Sequence, residues 1–315
     1  MTRAFVFPGQ GSQFIGMGKD LAENFVEARD VFQEVDDALS QKLSAMMFDG
    51  EESDLNLTEN TQPALMAMSM AVINVLQKQG GIQSEEHCAF VAGHSLGEYA
   101  ALTSAGTIAL ADTARLLKLR GTSMQKAVPV GVGSMAAILG LDFDVVAQIA
   151  QDAAGDQICT AANDNSDGQV VVSGHKEAVE RAVALATERG ARKAVILAVS
   201  APFHCDLMAP AAETMTPALA ETTFNAPVVP VVANVTAAEE SDPETLKKLL
   251  IEQITGTVRW RESVLYIRDQ GVTEMVEIGA GKVLSGLARR IDRSIVCESV
   301  GTVEQIENLI KKLKG

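Results

Sequence analysis

The stretch Ala89-Phe90-Val91-Ala92-Gly93-His94-Ser95-Leu96-Gly97-Glu98-Tyr99-Ala100-Ala101 decides how this chain folds. Ala89 to Ala92 is a short apolar run that reads as a buried strand, and Glu98 to Ser104 begins an alanine-rich helix. Between them, Gly93-His94-Ser95-Leu96-Gly97 matches G-x-S-x-G. In that motif a serine sits on a tight strand-to-helix turn, where the glycines tolerate a strained backbone and clear space beside the hydroxyl. A serine at a helix N-terminus also lies near backbone N–H groups able to stabilise an oxyanion. The five-residue pattern alone is weak in a chain with 25 glycines, and an ordinary turn serine is the alternative. The flanking strand and helix favour a nucleophile.

Working outward, Arg3 to Phe7 reads as a buried strand that ends in the turn Pro8-Gly9-Gln10-Gly11. Leu21, Phe25, Ala28, Phe32 and Val35 recur at helical spacing, which predicts one amphipathic helix. Gln62 to Gln79 predicts a deeply buried helix with Pro63 in its first turn, and Ala111 to Lys126 predicts another. The pattern then changes. Strand Ser134–Leu139, helix Phe143–Ala153, strand Ile158–Ala162, strand Gln169–Ser173, helix Glu177–Glu188 and strand Lys193–Val199 give βαββαβ, the ferredoxin-like split motif. That order predicts a small domain of about 70 residues, 128–199, inserted into a larger discontinuous α/β domain formed by 1–127 and 200–315. The larger pattern resumes with helices Asp206–Ala220 and Pro243–Ile254, strands Val228–Ala233 and Glu274–Ile278, and a closing helix Val303–Leu313. Strands alternating with helices imply a mainly parallel sheet covered on both faces.

The composition narrows the function classes. The chain has 315 residues, 47% of them apolar, so it can bury a full core. A formal net charge of -15 offers no basic face for nucleic acid. Cys88, Cys159, Cys205 and Cys297 are widely spread without a C-x-x-C pair, and read as free thiols in a reducing compartment. The apolar run Ala4 to Phe7 is too short for a signal-peptide core, and no later stretch reaches the length of a membrane span. The expectation is a cytoplasmic protein, or the mature form of an organellar one, with no membrane partner. No metal site is expected, because the four histidines lack ligand spacing. Gly279-Ala280-Gly281-Lys282 is no phosphate loop, since Val283 stands where Ser or Thr is required.

A serine nucleophile needs a base. His87 lies in the polar stretch Ser84-Glu85-Glu86 and reads as solvated. His175 precedes a helix of the small domain, and His94 adjoins the serine, where neighbouring side chains diverge. His204 remains, in Ser200-Ala201-Pro202-Phe203-His204-Cys205, where the large domain resumes and a cleft is expected. Spacing alone does not separate it from a satisfied core histidine.

With these residues in place, the chain resembles the malonyl-CoA:acyl carrier protein transacylase family nearly end to end. The resemblance is carried by Phe7-Pro8-Gly9-Gln10-Gly11-Ser12-Gln13, Gly93 to Ala101, Arg120-Gly121 with Met124-Gln125, Pro202-Phe203-His204, Val232-Ala233-Asn234-Val235-Thr236 and Glu277-Ile278-Gly279. It implies a hydrolase-like α/β core with the inserted ferredoxin-like domain. It implies Ser95 as the acylated residue, His204 as its base, and the backbone N–H groups of Gln10 and Leu96 as the oxyanion hole. Gln253 falls where the family has a residue that holds the histidine through a neutral amide carbonyl, giving a dyad; a surface helix position is the alternative. Arg120 falls where the family binds the free malonyl carboxylate, which a planar, permanently charged fork suits; a surface arginine pairing an acid is the alternative. Met124 lies beside it on the same helix. Leu96 and Phe203 go with malonyl rather than bulkier branched acyl units. Ala280 departs from the proline usual in relatives, a change in loop stiffness and not in chemistry.

The resemblance further implies malonyl-CoA as donor, CoA as product, acyl carrier protein as partner, no permanently bound cofactor, and a monomer. A strongly acidic carrier would need a local basic patch on this acidic chain. Arg192 and Lys193, upstream of His204, and Arg289 and Arg290, beyond the Gly279 loop, are the candidates, with solvated surface charge as the alternative. Two other readings remain at this point. A serine esterase or thioesterase would give Arg120 no role, and a non-catalytic carrier-binding module would not need Ser95, His204 and Arg120 together.

Overall fold

The computed structural model describes residues 2–199 and 201–314. The expected seam at Ser200 and the terminal residues Met1 and Gly315 lie outside the described residues. Among the described residues ten strands form two sheets: β1 Arg3–Phe7, β2 Phe90–Gly93, β3 Gly133–Leu139, β4 Cys159–Ser166, β5 Gln169–His175, β6 Lys193–Ile196, β7 Val231–Val232, β8 Glu239–Glu240, β9 Glu274–Ile278 and β10 Val296–Val300. The larger sheet runs β10-β9-β1-β2-β7-β8 and is parallel except for the final β7–β8 pair. Its central strands are apolar without alternation because helices cover both faces. The smaller sheet is antiparallel in the order β4-β5-β3-β6. Helices Phe143–Ala154 and Lys176–Glu188 cover one of its faces, completing the ferredoxin-like split motif. The fold is therefore α/β, a mostly parallel sheet joined to a small antiparallel one.

Several elements differ from the sequence expectation for identifiable reasons. The single helix expected through Leu21 to Val35 is two, Lys19–Asn24 and Val26–Leu39, with Phe25 extended between them. Periodicity reports which residues face the core, and that face continues across the break. The helix expected from Gln62 begins at Thr58, so Pro63 falls in its second turn rather than its first. The strand expected over Val228–Ala233 shrinks to Val231–Val232, because Pro230 has no N–H to enter the ladder. The strand expected to reach Val199 stops at Ile196. The helix expected from Asp206 begins with one 3₁₀ turn, Asp206–Met208, and becomes α-helical at Ala209 with Pro210 in its first turn. Helices Trp260–Asp269 and Val283–Ile291 and strand β10 were not anticipated.

Three contacts of this frame position the site. Phe7 of β1 pairs with Gly93 of β2, so the Gln10 turn and the Ser95 turn leave neighbouring strand ends together. Helix Leu110–Lys126 presses against the start of helix Thr58–Gly80 at Gly121, where a Cβ would lie 2.6 Å from the Thr58 carbonyl. The small sheet is stitched to the large one by β4. Asp164 N–H donates to Val258 O and Val258 N–H to Ala162 O, each at 2.9 Å, and the buried Asp164 pairs with Arg261 at 2.9 Å. Among the described residues no helix is long and apolar enough to cross a membrane, and all four cysteines are free and buried.

The crossing at the nucleophile turn is tight enough to test. A Cβ on Gly97 would overlap the Phe7 carbonyl, and one on Gly93 would overlap Gly97 itself. Gly97→Ala is expected to lower unfolding free energy in urea by at least about 2 kcal/mol, the cost of overpacking a rigid backbone contact. A loss below about 0.5 kcal/mol, the range of neutral surface changes, would contradict this packing.

Candidate active site

Ser95 lies between β2 and helix Gly97–Ser104 with a φ of 53°, a left-handed conformation that a side chain makes costly. Asn234 holds it there. Its Oδ1 accepts from Ser95 N–H at 2.7 Å, and its Nδ2 donates to Gly93 O at 2.7 Å, so one amide spans the turn. The Ser95 hydroxyl is thereby raised above the strand ends into a cavity of about 180 Å³.

His204 comes from the chain just after the small sheet, is 4% exposed, and also has positive φ, 59°. Its Nε2 lies 2.8 Å from Ser95 Oγ, and its Nδ1 lies 2.8 Å from the main-chain oxygen of Gln253. A carbonyl can only accept, so Nδ1 carries the proton and Nε2 presents its lone pair to the hydroxyl. Burial, then the Arg120 charge, pushes the imidazole down to about 3. The ring is therefore neutral at physiological pH, the form a general base needs.

Gln253 does hold the histidine through an amide carbonyl, but the carbonyl is that of its backbone. Its side chain does something else. Oε1 accepts from Arg120 Nη2 at 2.9 Å, while Nε2 donates to Glu98 Oε2 at 2.9 Å and to Ser95 O at 3.0 Å.

Arg120 is 1% exposed, delivered by the close helix crossing at Gly121. Nη1 donates to Gln62 Oε1 at 2.8 Å, Nη2 reaches Ser95 Oγ at 3.2 Å, and Nε has no hydrogen-bond partner among the described residues. Its guanidinium stands 5.7 Å from the Tyr99 ring centroid. No carboxylate forms an ion pair with it among the described residues. A buried cation bonded only to neutral groups is incompletely compensated, and the arrangement can receive an anion beside the serine.

Gln10, Leu96, Met124 and Phe203 all line this cavity. The Gln10 side-chain Oε1 accepts from Thr58 Oγ1 at 2.7 Å. Six further wall residues come from the small sheet or its exit, Met135, Asn163, Asn165, Val171, Leu197 and Val199, and had no sequence signal because they meet the serine only where the small sheet packs against the large one. Asn165 Oδ1 lies 2.8 Å from Nε2 of His94, so the histidine beside the nucleophile turns away from it and braces the small sheet. His87 is half-buried, with Nδ1 2.9 Å from Gln83 O, and His175 Nδ1 accepts from Ile158 N–H at 2.9 Å. Asn234 and Glu98 lie within stretches that carry the family resemblance, but their roles depend on contacts that no spacing discloses.

The basic candidates are less united. Arg192 and Arg290 line one surface depression, with Arg290 donating to Gln169 Oε1 at 2.7 Å. Lys193 is exposed at the start of β6, while Arg289 donates to Cys297 O at 2.6 Å. Among the described residues no cluster of His, Cys, Asp or Glu has the makings of a metal site.

The lowered His204 pKa has a definite sign. The base form persists as pH falls, so the rate of Ser95 acylation should vary by less than about threefold between about pH 5 and pH 8 in stopped-flow measurements. An acid limb centred near the ordinary histidine value of about 6.5 would contradict this environment.

Known proteins resemble the chain in sequence and in fold. The family model for the acyl transferase domain matches residues 4–311. The chain is 48% identical over 288 residues to the malonyl CoA-acyl carrier protein transacylase of Escherichia coli strain K12, covering 91% of this chain and 92% of that one. It superposes on the crystal structure of acyl-carrier-protein-S-malonyltransferase from Bartonella henselae with a TM-score of 0.97 and 56% identity over 100% of both chains. A malonyl-transacylase solved in complex with its type II PKS acyl-carrier protein gives a TM-score of 0.96 and 43% identity, covering 99% of this chain and 100% of that one.

Proposed function

The chain belongs to the acyl transferase domain family, and on that premise we propose that it carries a malonyl group from coenzyme A to the phosphopantetheine thiol of acyl carrier protein. The product supplies malonyl units for fatty-acid biosynthesis. The observation that carries this reading is Arg120, a buried guanidinium with no carboxylate ion pair among the described residues, 3.2 Å from Ser95 Oγ. In a malonyl thioester one methylene separates the reacting carbonyl from a free carboxylate. A group that binds this carboxylate must therefore stand within a few ångströms of the nucleophile, as Arg120 does. The same position gives an esterase of neutral substrates no benefit.

In this mechanism the malonyl carboxylate displaces the weak Arg120–Ser95 contact and takes a paired hydrogen bond from the guanidinium. His204 Nε2 accepts the Ser95 proton while Oγ bonds to the thioester carbon. The oxyanion is received by the N–H groups of Gln10 and Leu96. The C–S bond breaks, and the proton on Nε2 passes to the CoA thiolate. The carrier thiol then attacks the malonyl ester, giving its proton to Nε2, and Ser95 recovers a proton as the ester bond breaks. The kinetics are ping-pong.

Residues 1–127 and 200–315 supply this chemistry, and 128–199 supply the opposite wall. The apolar side chains of Leu96, Met124 and Phe203 confine the acyl group and favour malonyl over methylmalonyl by about 1–3 kcal/mol, the usual worth of one methyl. The reaction is assigned to the cytoplasm, a setting that suits four free thiols.

Arg120→Ala should lower kcat/KM for malonyl-CoA by at least about 30-fold, the scale for removing a buried charge partner, while acetyl-CoA loses far less. Equal losses for both donors would remove the carboxylate role. Separately, charge reversal at Arg192, Lys193 and Arg290 should raise KM for the carrier protein by about tenfold and spare that for malonyl-CoA. Parallel losses for both substrates would move the docking surface elsewhere.

A further inference from the structure

Glu98 is 1% exposed beneath the site, and the mechanism above does not use it. Its Oε2 accepts from the Asn234 backbone N–H at 3.0 Å and from Gln253 Nε2 at 2.9 Å, while Oε1 has no partner. The two donors belong to the residues that hold the machinery. Asn234 clamps the Ser95 turn, and Gln253 contacts both His204 and Arg120.

An amide side chain can adopt two orientations that differ by exchanging oxygen and nitrogen. For Gln253 the choice has consequences. With Nε2 on Glu98, Oε1 faces Arg120 and accepts from Nη2. Turned over, the amide would set an NH₂ against a guanidinium that only donates, and an oxygen against the carboxyl. Gln62 already fixes Nη1 from the other side at 2.8 Å. With both nitrogens anchored, the planar fork has one direction left to it, toward the serine.

We infer that Glu98 is a positioning residue for acyl-group selection: by accepting from Gln253 Nε2 it fixes the amide whose oxygen aims the Arg120 fork at the acyl carboxylate. The contact, and not the charge, carries this role. Burial raises the Glu98 carboxyl to about 7, opposed by the hydrogen bonds from Gln253 and Asn234 N–H and by Arg120. A proton added on Oε1, the oxygen without a partner, leaves Oε2 accepting from both donors. Selection therefore persists on either side of that titration.

This inference rests on the malonyl reading of the site, so the wild-type preference for malonyl-CoA over acetyl-CoA is measured first. If the wild type shows none, that reading fails, whatever Glu98 does. If it does, Glu98→Ala and Glu98→Leu should lower kcat/KM for malonyl-CoA by about tenfold to a hundredfold, mainly through KM, with acetyl-CoA changed by less than about threefold. Glu98→Gln, which mimics the protonated carboxyl, should stay within about threefold of wild type for both donors. Equal losses for the two donors, or a Glu98→Gln variant as impaired as Glu98→Ala, would overturn the inference. Because an apolar residue at this position can prevent folding, the wild-type protein supplies a second readout. The Gln253 side-chain ¹⁵N resonance should shift with pH as Glu98 titrates and hold still in Glu98→Gln. A pH-dependent shift of equal size in Glu98→Gln would equally overturn it, because the proton would then move on a group other than the one that holds the amide.

Discussion

A guanidinium buried to 1% exposure that forms no ion pair among the described residues is the constraint on which this structure turns. Removing such a charge from water is expensive, and the hydrogen bonds it donates to the neutral amide oxygens of Gln62 and Gln253 offset only part of that cost. The fold maintains Arg120 there by a close helix crossing that only a glycine at 121 permits, and by the Tyr99 ring face. A site that keeps a cation incompletely compensated is prepared for an anionic substrate. Here that preparation stands within hydrogen-bonding reach of the serine, so recognition and chemistry occupy one cavity.

The second requirement of the proposed mechanism is that nucleophile and base be held in conformations neither would choose. Ser95 and His204 both have positive φ, and neither is a glycine. The Asn234 clamp and the Gln253 backbone carbonyl overdetermine the two, which is how a sparsely populated backbone conformation persists. The same two residues meet at Glu98. On the proposed mechanism, acylation geometry and acyl selection thus share a buried hydrogen-bond network behind the cavity, in which the loss of one member is felt by several others.

Much of this was legible in the chain. β1, the nucleophile turn and the βαββαβ order follow from apolar runs and their punctuation, because strand burial and turn chemistry are local. The shortened β7 shows where such reading stops: the run looked apolar enough to be a strand, and Pro230 limited the ladder. The split at Phe25 and the missed elements beyond Trp260 reflect the same limit, since periodicity records a face and not an axis. At the site, Ser95 announces itself by motif, and His204 only by its place at the return from the small sheet. Asn163, Asn165, Met135 and Val171 reach the cavity through the β4 stitch to Val258, which no pattern within either segment encodes. Nor does a sequence say whether a glutamine acts through its side chain or its backbone, and Gln253 uses both.

The central claim is that Ser95 carries a malonyl group between two thiols. Intact-protein mass spectrometry after brief exposure to malonyl-CoA, with Ser95→Ala alongside, tests it most directly. The account requires a malonyl adduct on the wild type alone, discharged when the carrier-protein thiol is added. Release of CoA with no adduct and no transfer would make water the acceptor and contradict the account.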